Sequence, residues 1–134
     1  MQGIYEMSKM KDINGIDMLL KKLPEKFQKW HYFNHIDEFR YETVFDDSDK
    51  FENINNIEMV IRDCSKKYWI KMKLTNVSGL ISFNTVNGFY SGLVINDFIE
   101  CGYSKDCRYR FSSCEMDIDF NFYCEKISVE LLYQ

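Results

Sequence analysis

A chain of 134 residues with 17 Lys and Arg against 21 Asp and Glu carries a formal net charge of −4, which argues against a nucleic-acid binder, since such proteins carry a basic patch or stripe. Its length suits one domain that buries roughly two-thirds of its unfolded surface, so no disulfide or metal is needed to hold it folded. Aromatic residues make up 16% of the chain, with 11 Phe, 9 Tyr and 2 Trp against 1 Pro and 6 Gly, a bias that favours strands over helices.

The five cysteines, Cys64, Cys101, Cys107, Cys114 and Cys124, include no C-x-x-C pair. Structural zinc uses close ligand pairs, so these residues read as small core hydrophobes in a reduced, cytoplasmic protein. The opening M-Q-G-I-Y-E-M-S-K-M-K has no apolar stretch of the kind a secretory leader needs, and no apolar run is long enough to span a bilayer.

In chain order, residues 1–14 are polar with scattered Met and Ile and read as a disordered lead or a frayed helix. Residues 15–30 read as helical. Ile16, Leu19, Leu20 and Leu23 fall at helical spacing, Asn14 or Asp12 can cap the start, and Pro24 ends the first helix and opens a second short helix or turn. Residues 36–132 read as a β-sheet domain. His35 to Phe45 is a strand with Phe39, Tyr41 and Thr43 on one face and Arg40, Glu42 and Val44 on the other, followed by a polar loop rich in Asp and Asn. The clearest alternation runs from Ile57 onward. Ile57, Met59 and Ile61 oppose Glu58 and Arg62, and after a short polar break Ile70, Met72 and Leu74 oppose Lys71 and Lys73, which predicts a β-hairpin with one face buried. Further strands are expected at Leu80–Asn84, Phe89–Phe98 with a bulge or bend at Gly92, Arg108–Phe111, Met116–Tyr123 and Ile127–Leu132, with a turn at Asn87–Gly88. No helix long enough for a βαβ crossover lies between them. The fold class is therefore mainly β, α+β at most: about eight largely antiparallel strands in a sandwich or strongly curved sheet, with a short N-terminal helical region, in a single domain spanning 1–134.

Reactive constellations are sparse. His31 and His35 are four apart and would share a helical face, with Asp37 or Glu38 completing a metal site, but the segment reads as extended by His35 and a structural role is preferred. The acidic run Asp46, Asp47, Asp49 and Glu52 lacks the glycine and spacing of a calcium loop; it and the run Glu115, Asp117 and Asp119 read as solvated faces suited to steering a basic partner. R-Y-R-F at 108–111 mixes basic and aromatic residues as a base-stacking platform does, and equally fits cross-strand packing of Tyr109 and Phe111. No G-x-S-x-G and no glycine-rich phosphate loop occurs.

W-H-Y-F-N-H-I-D-E-F from Trp30, L-x-N-V-x-x-L from Leu74 to Leu80, the strand from Gly92 to Phe98, R-Y-x-F at Arg108 to Phe111 and F-x-C-E-x-I-x-V from Phe122 to Val129 together resemble small bacterial immunity proteins of polymorphic toxin systems, in particular the group numbered fifty in that series. Asn34, His35 and Ile36 depart from the tighter F-H-D of that pattern. The resemblance implies a non-enzymatic cytoplasmic antidote that binds a cognate protein toxin and blocks it, with no cofactor, no metal and no catalytic residue. Such a binder presents about 800 Å² to its partner, with aromatic anchors ringed by polar groups. Trp69, Tyr90 and Tyr103 are the candidate anchors, and the two acidic runs are the steering groups for a basic toxin. Neither nucleic acid nor membrane is expected as a partner, and the chain is expected to be a monomer or homodimer. The alternatives are a small-ligand-binding or enzymatic β-barrel with a pocket around His31, His35 and an acidic residue, and a self-associating module that uses an exposed sheet edge.

Overall fold

Alternation of period two puts every second side chain on one face of a strand, and its longest run builds the middle of a sheet. The computed structural model describes residues 6–10, 12–45, 53–80, 92–98, 107–113 and 121–133. Within them the fold is mainly β, with one α-helix, α1 (Ile16–Lys22), and short 3-10 turns. The strands are β1 (Phe33–Phe45), β2 (Asn53–Asp63), β3 (Trp69–Thr75), β4 (Ser78–Leu80), β5 (Leu93–Asp97), β6 (Tyr109–Ser113), β7 (Asn121–Cys124) and β8 (Lys126–Tyr133). They form two antiparallel four-stranded sheets, ordered β1-β2-β3-β8 and β4-β7-β6-β5.

The expected hairpin is β2 and β3, and its apolar positions line up in rows across the first sheet. Ile61 lies opposite Ile70 and Ile70 opposite Leu131; Met59, Met72 and Val129 form a second row, and Ile57, Leu74 and Ile127 a third. All but Leu131 are buried. Each such side chain removed from water contributes about 1.5–3 kcal/mol before chain entropy is counted. From the second sheet, Leu93, Ile95, Phe111 and Phe122 join the same core, with the Phe111 and Phe122 rings stacked at 5.4 Å. Gly92 precedes β5 with φ +118°, a conformation open to glycine, so the expected bend sits at the strand's start. The strand and turn expectations at 81–84, 87–91 and 116–120 lie outside the described residues.

The N-terminal stretch departs from expectation. Met7 is fully buried, Met10 and Ile13 nearly so, and a 3-10 turn (Met7–Lys9) holds the first of them in the core. What reads as a polar lead therefore contributes three apolar anchors, spaced three apart. The helical region is also shorter than 15–30. Pro24 disfavours helical geometry at Leu23, which is extended, and the chain continues through 3-10 turns at Glu25–Phe27 and Trp30–Tyr32. The Gln28 amide closes the helix end by donating to the carbonyls of Leu20 (3.0 Å) and Leu23 (2.8 Å).

Neither Asn14 nor Asp12 caps α1; Gly15 occupies the N-cap position with no side-chain cap bond. Asn14 instead joins the sheet edge. Its N–H donates to the Ile127 carbonyl (3.1 Å), and its carbonyl accepts from the Val129 N–H (2.8 Å). Pressing the chain this close to β8 leaves no room for a side chain next door: a Cβ on Gly15 would overlap the Val129 carbonyl oxygen, and φ there is +88°. Gly15→Ala is therefore expected to destabilise the protein by about 2 kcal/mol or more, measured by urea unfolding, from steric overlap and left-handed strain together.

Candidate partner-binding surface

β1 is the longest strand among the described residues, and only its first part belongs to the core. Register shifts between Phe33 and His35 and between Ile36 and Glu38 bend it against β2; from Glu38 to Phe45 it then pairs without interruption with Val60 to Asn53. On this outer half Tyr41 lies opposite Ile57. Ile57 is 1% exposed and Tyr41 43%, so the strand has run past the material that covers its neighbour. Phe39, Val44 and Phe45 are exposed too, Phe45 to 61%. Thr43, between Tyr41 and Phe45 on the same face, donates its hydroxyl to Asn55 Oδ1 (2.9 Å).

The other face of β1 carries charge. Arg40 pairs with Glu58 (3.3 Å), and Glu58 pairs in turn with Lys71 (3.0 Å). The Glu58 carboxyl is held below its usual range, first by the hydrogen bond from Lys71, against a smaller effect of burial, and then by the charges of Lys71, Arg40 and Lys73. Solvent screens such pairs, which are worth little to stability. Glu38, Arg40, Glu58 and Lys71 line an open hollow of about 310 Å³ on this face.

A polar tie fixes β1 where it leaves the core. The bulge places Asp37 against Arg62, whose Nε donates to both carboxylate oxygens (3.2 and 2.9 Å), and the Trp69 indole N–H donates to Oδ2 (2.8 Å). Burial alone would raise the Asp37 pKa, but the bonds from Arg62 and Trp69 and the nearby positive charges outweigh it and hold the carboxyl below its usual range. Trp69 thus stands on the outer face of β3, where alternation places it, with its polar atom engaged in orienting Asp37. It is the candidate partner residue within the described set. Asp46, Asp47, Asp49, Glu52, Tyr90, Tyr103, Glu115, Asp117 and Asp119 lie outside the described residues.

The weighed chemical sites come apart. The chain turns from 3-10 to extended at Phe33, so His31 and His35 share no helical face. His31 packs edge-on against Tyr32 and His35 Nδ1 lies 3.0 Å from Asn34 Oδ1. Burial first, then Lys29 for one and Arg62 for the other, lowers both pKa values. Among the described residues no group of three His, Cys, Asp or Glu is placed to hold a metal ion. In R-Y-R-F, Tyr109 and Phe111 are buried, Arg108 is paired with Asp97 and Asp12, and Arg110 donates to Asn121, so the aromatic faces are core packing rather than a stacking platform. Of the described cysteines only Cys124 is the core hydrophobe expected, and burial pushes its thiol pKa up; Cys64, in the turn after β2, is exposed and Cys107 half-buried.

Tyr41 and Phe45 escape a sequence reading because alternation alone sends them to the same face as Phe39. Length is the signal that identifies them. Thirteen residues far exceed an ordinary strand of about five or six, and the interleaved Glu38, Arg40 and Glu42 are typical of an edge strand that has overrun its core. No family model matches the chain, and no curated protein or solved structure is detectably similar to it.

The turn joining β2 to β3 depends on one carboxylate. Asp63 accepts from the backbone N–H groups of Ser65 (3.0 Å), Lys67 (3.0 Å) and Tyr68 (2.8 Å) and from the Ser65 hydroxyl. Burial would raise its pKa, but these bonds outweigh burial and depress it. A carboxyl with a depressed folded-state pKa stabilises the fold above its unfolded value, about 3.9, and loses that contribution as pH falls through the folded value. Asp63 and Asp37 should therefore make stability fall below about pH 4. Asp63→Asn, which replaces a four-way acceptor with a group bearing two donors, is expected to lower stability at pH 7 and flatten that acid limb in unfolding curves taken from pH 7 to pH 2.

Proposed function

We propose that the chain is a non-enzymatic binding protein, a cytoplasmic immunity protein that neutralises a cognate bacterial toxin by covering its surface. The observation that carries this reading is the outer half of β1, where Tyr41, Val44 and Phe45 stay exposed on a strand held rigidly at its base by Asp37, Arg62 and Trp69. Exposed aromatic residues on a rigid element are favoured anchors of protein interfaces, since they offer large area at small entropic cost. In sequence, Phe45 runs directly into Asp46, Asp47 and Asp49, which puts an acidic group suited to steering a basic partner beside the apolar one in the chain. The resemblance of the Trp30–Phe39 and Phe122–Val129 segments to toxin-neutralising immunity proteins supports the choice of partner class. Interface formation needs no reacting group, in keeping with the hydrogen-bonded, packing roles of His31, His35 and Cys124.

Co-expression with the toxin encoded beside this chain tests the reading. The wild-type chain should rescue growth, and Tyr41→Asp with Phe45→Asp should abolish rescue while leaving the thermal unfolding midpoint nearly unchanged, because surface substitutions of this kind shift stability by about 0.5 kcal/mol or less. A wild-type chain that binds no neighbouring toxin, or a doubly substituted chain that still rescues fully, would overturn it.

A further inference from the structure

The two edges of the first sheet are treated differently. At β8 the first part of the outer edge is occupied: Asn14 bridges to Ser128, its backbone bonds Ile127 and Val129, and α1 packs against the strand. At β1, among the described residues, β2 lies on one side and no strand on the other. An edge strand with unfilled N–H and C=O groups is a template for another strand. The charges along β1 select which strand.

We propose that the occupant of this edge is β1 of a second copy, so that two chains join their first sheets into one continuous sheet about a two-fold axis perpendicular to it. A two-fold of that kind pairs the strands antiparallel and keeps each face on its own side, so opposite residues must both come from even positions or both from odd ones. Within the uninterrupted segment Glu38–Phe45 the axis must then pass beside a single residue. Centred on Arg40, it sets Arg40 against itself and Glu38 against Glu42 of the second copy. Centred on Glu42, it sets Glu42 against itself. Centred on Tyr41, it sets Arg40 against Glu42 of the second copy and Glu42 against Arg40, both on the outer face, with Tyr41 against Tyr41 on the other. Opposite charges directly across an antiparallel pair stabilise and like charges destabilise. The sequence E-F-R-Y-E is thus self-repelling when the axis passes beside Arg40 or Glu42 and self-complementary when it passes beside Phe39 or Tyr41; beside Phe39, however, Glu42 falls across from Ile36, beyond the register shift, so the uninterrupted segment favours Tyr41. The same charges that guard the edge against unrelated strands admit a second copy of this one.

The pairing concerns the isolated protein and stands apart from the toxin-binding reading. Light scattering after size exclusion should show the wild-type chain passing from monomer to dimer mass as concentration rises. Arg40→Glu and Glu42→Arg, both at exposed positions, should each remain monomeric where the wild type is dimeric, with unchanged circular dichroism. The double swap Arg40→Glu with Glu42→Arg should dimerise again. Mixing the two single variants should also give dimers, since one chain then presents acidic side chains at both positions and faces basic side chains at both positions of the other. A wild-type chain that stays monomeric at millimolar concentration, single variants that dimerise like the wild type, or a folded double swap that stays monomeric would each overturn the proposal.

Discussion

Three rows of apolar side chains crossing β2, β3 and β8 are the constraint on which the remainder of the molecule depends. Their period of two fixes the register, because a slip of one residue would turn Ile57, Met59 and Ile61 to solvent and bring Glu58 and Arg62 inward. Other elements bury apolar side chains in the same core. Met7, Met10 and Ile13 reach it from the N-terminal segment, Leu19 from α1, and Phe111 and Phe122 from the second sheet. The opposite face carries ion pairs such as Arg40–Glu58–Lys71, which add little to stability, beside the buried Val60 and Arg62.

The hairpin of β2 and β3 is legible in sequence because one face is buried and the other charged, which is the one condition under which alternation reports directly on structure. β8 is legible for the same reason. The burial of Met7, Met10 and Ile13 is not, since three apolar residues among polar ones give too weak a period to outweigh composition, and their stabilisation comes from contacts made far away in sequence. The start of α1 points falsely toward Asn14 and Asp12 because capping is a side-chain signal. What decides the position is the closeness of two backbones at Gly15 and Val129, which leaves no pattern except the glycine itself.

The surface is less legible than the fold. Alternation places Trp69 on the correct face, but its bond to Asp37 depends on a bulge that no residue type announces. The exposure of Tyr41 and Phe45 depends on where β1 outruns its covering, a property of the assembled sheet rather than of any local stretch. Residues that stand out for their own chemistry, such as His31, His35 and Cys124, are engaged in packing and local hydrogen bonds.

Asn14 has a consequence beyond anchoring the helix. A sheet with two open edges can add copies without limit and grow into a filament. Among the described residues, the chain's own backbone takes up the β8 edge at Ile127 and Val129, where a strand from another copy would otherwise have to start its pairing. The N-terminal segment thus blocks part of this edge by topology, independent of how strongly any pair of strands attracts.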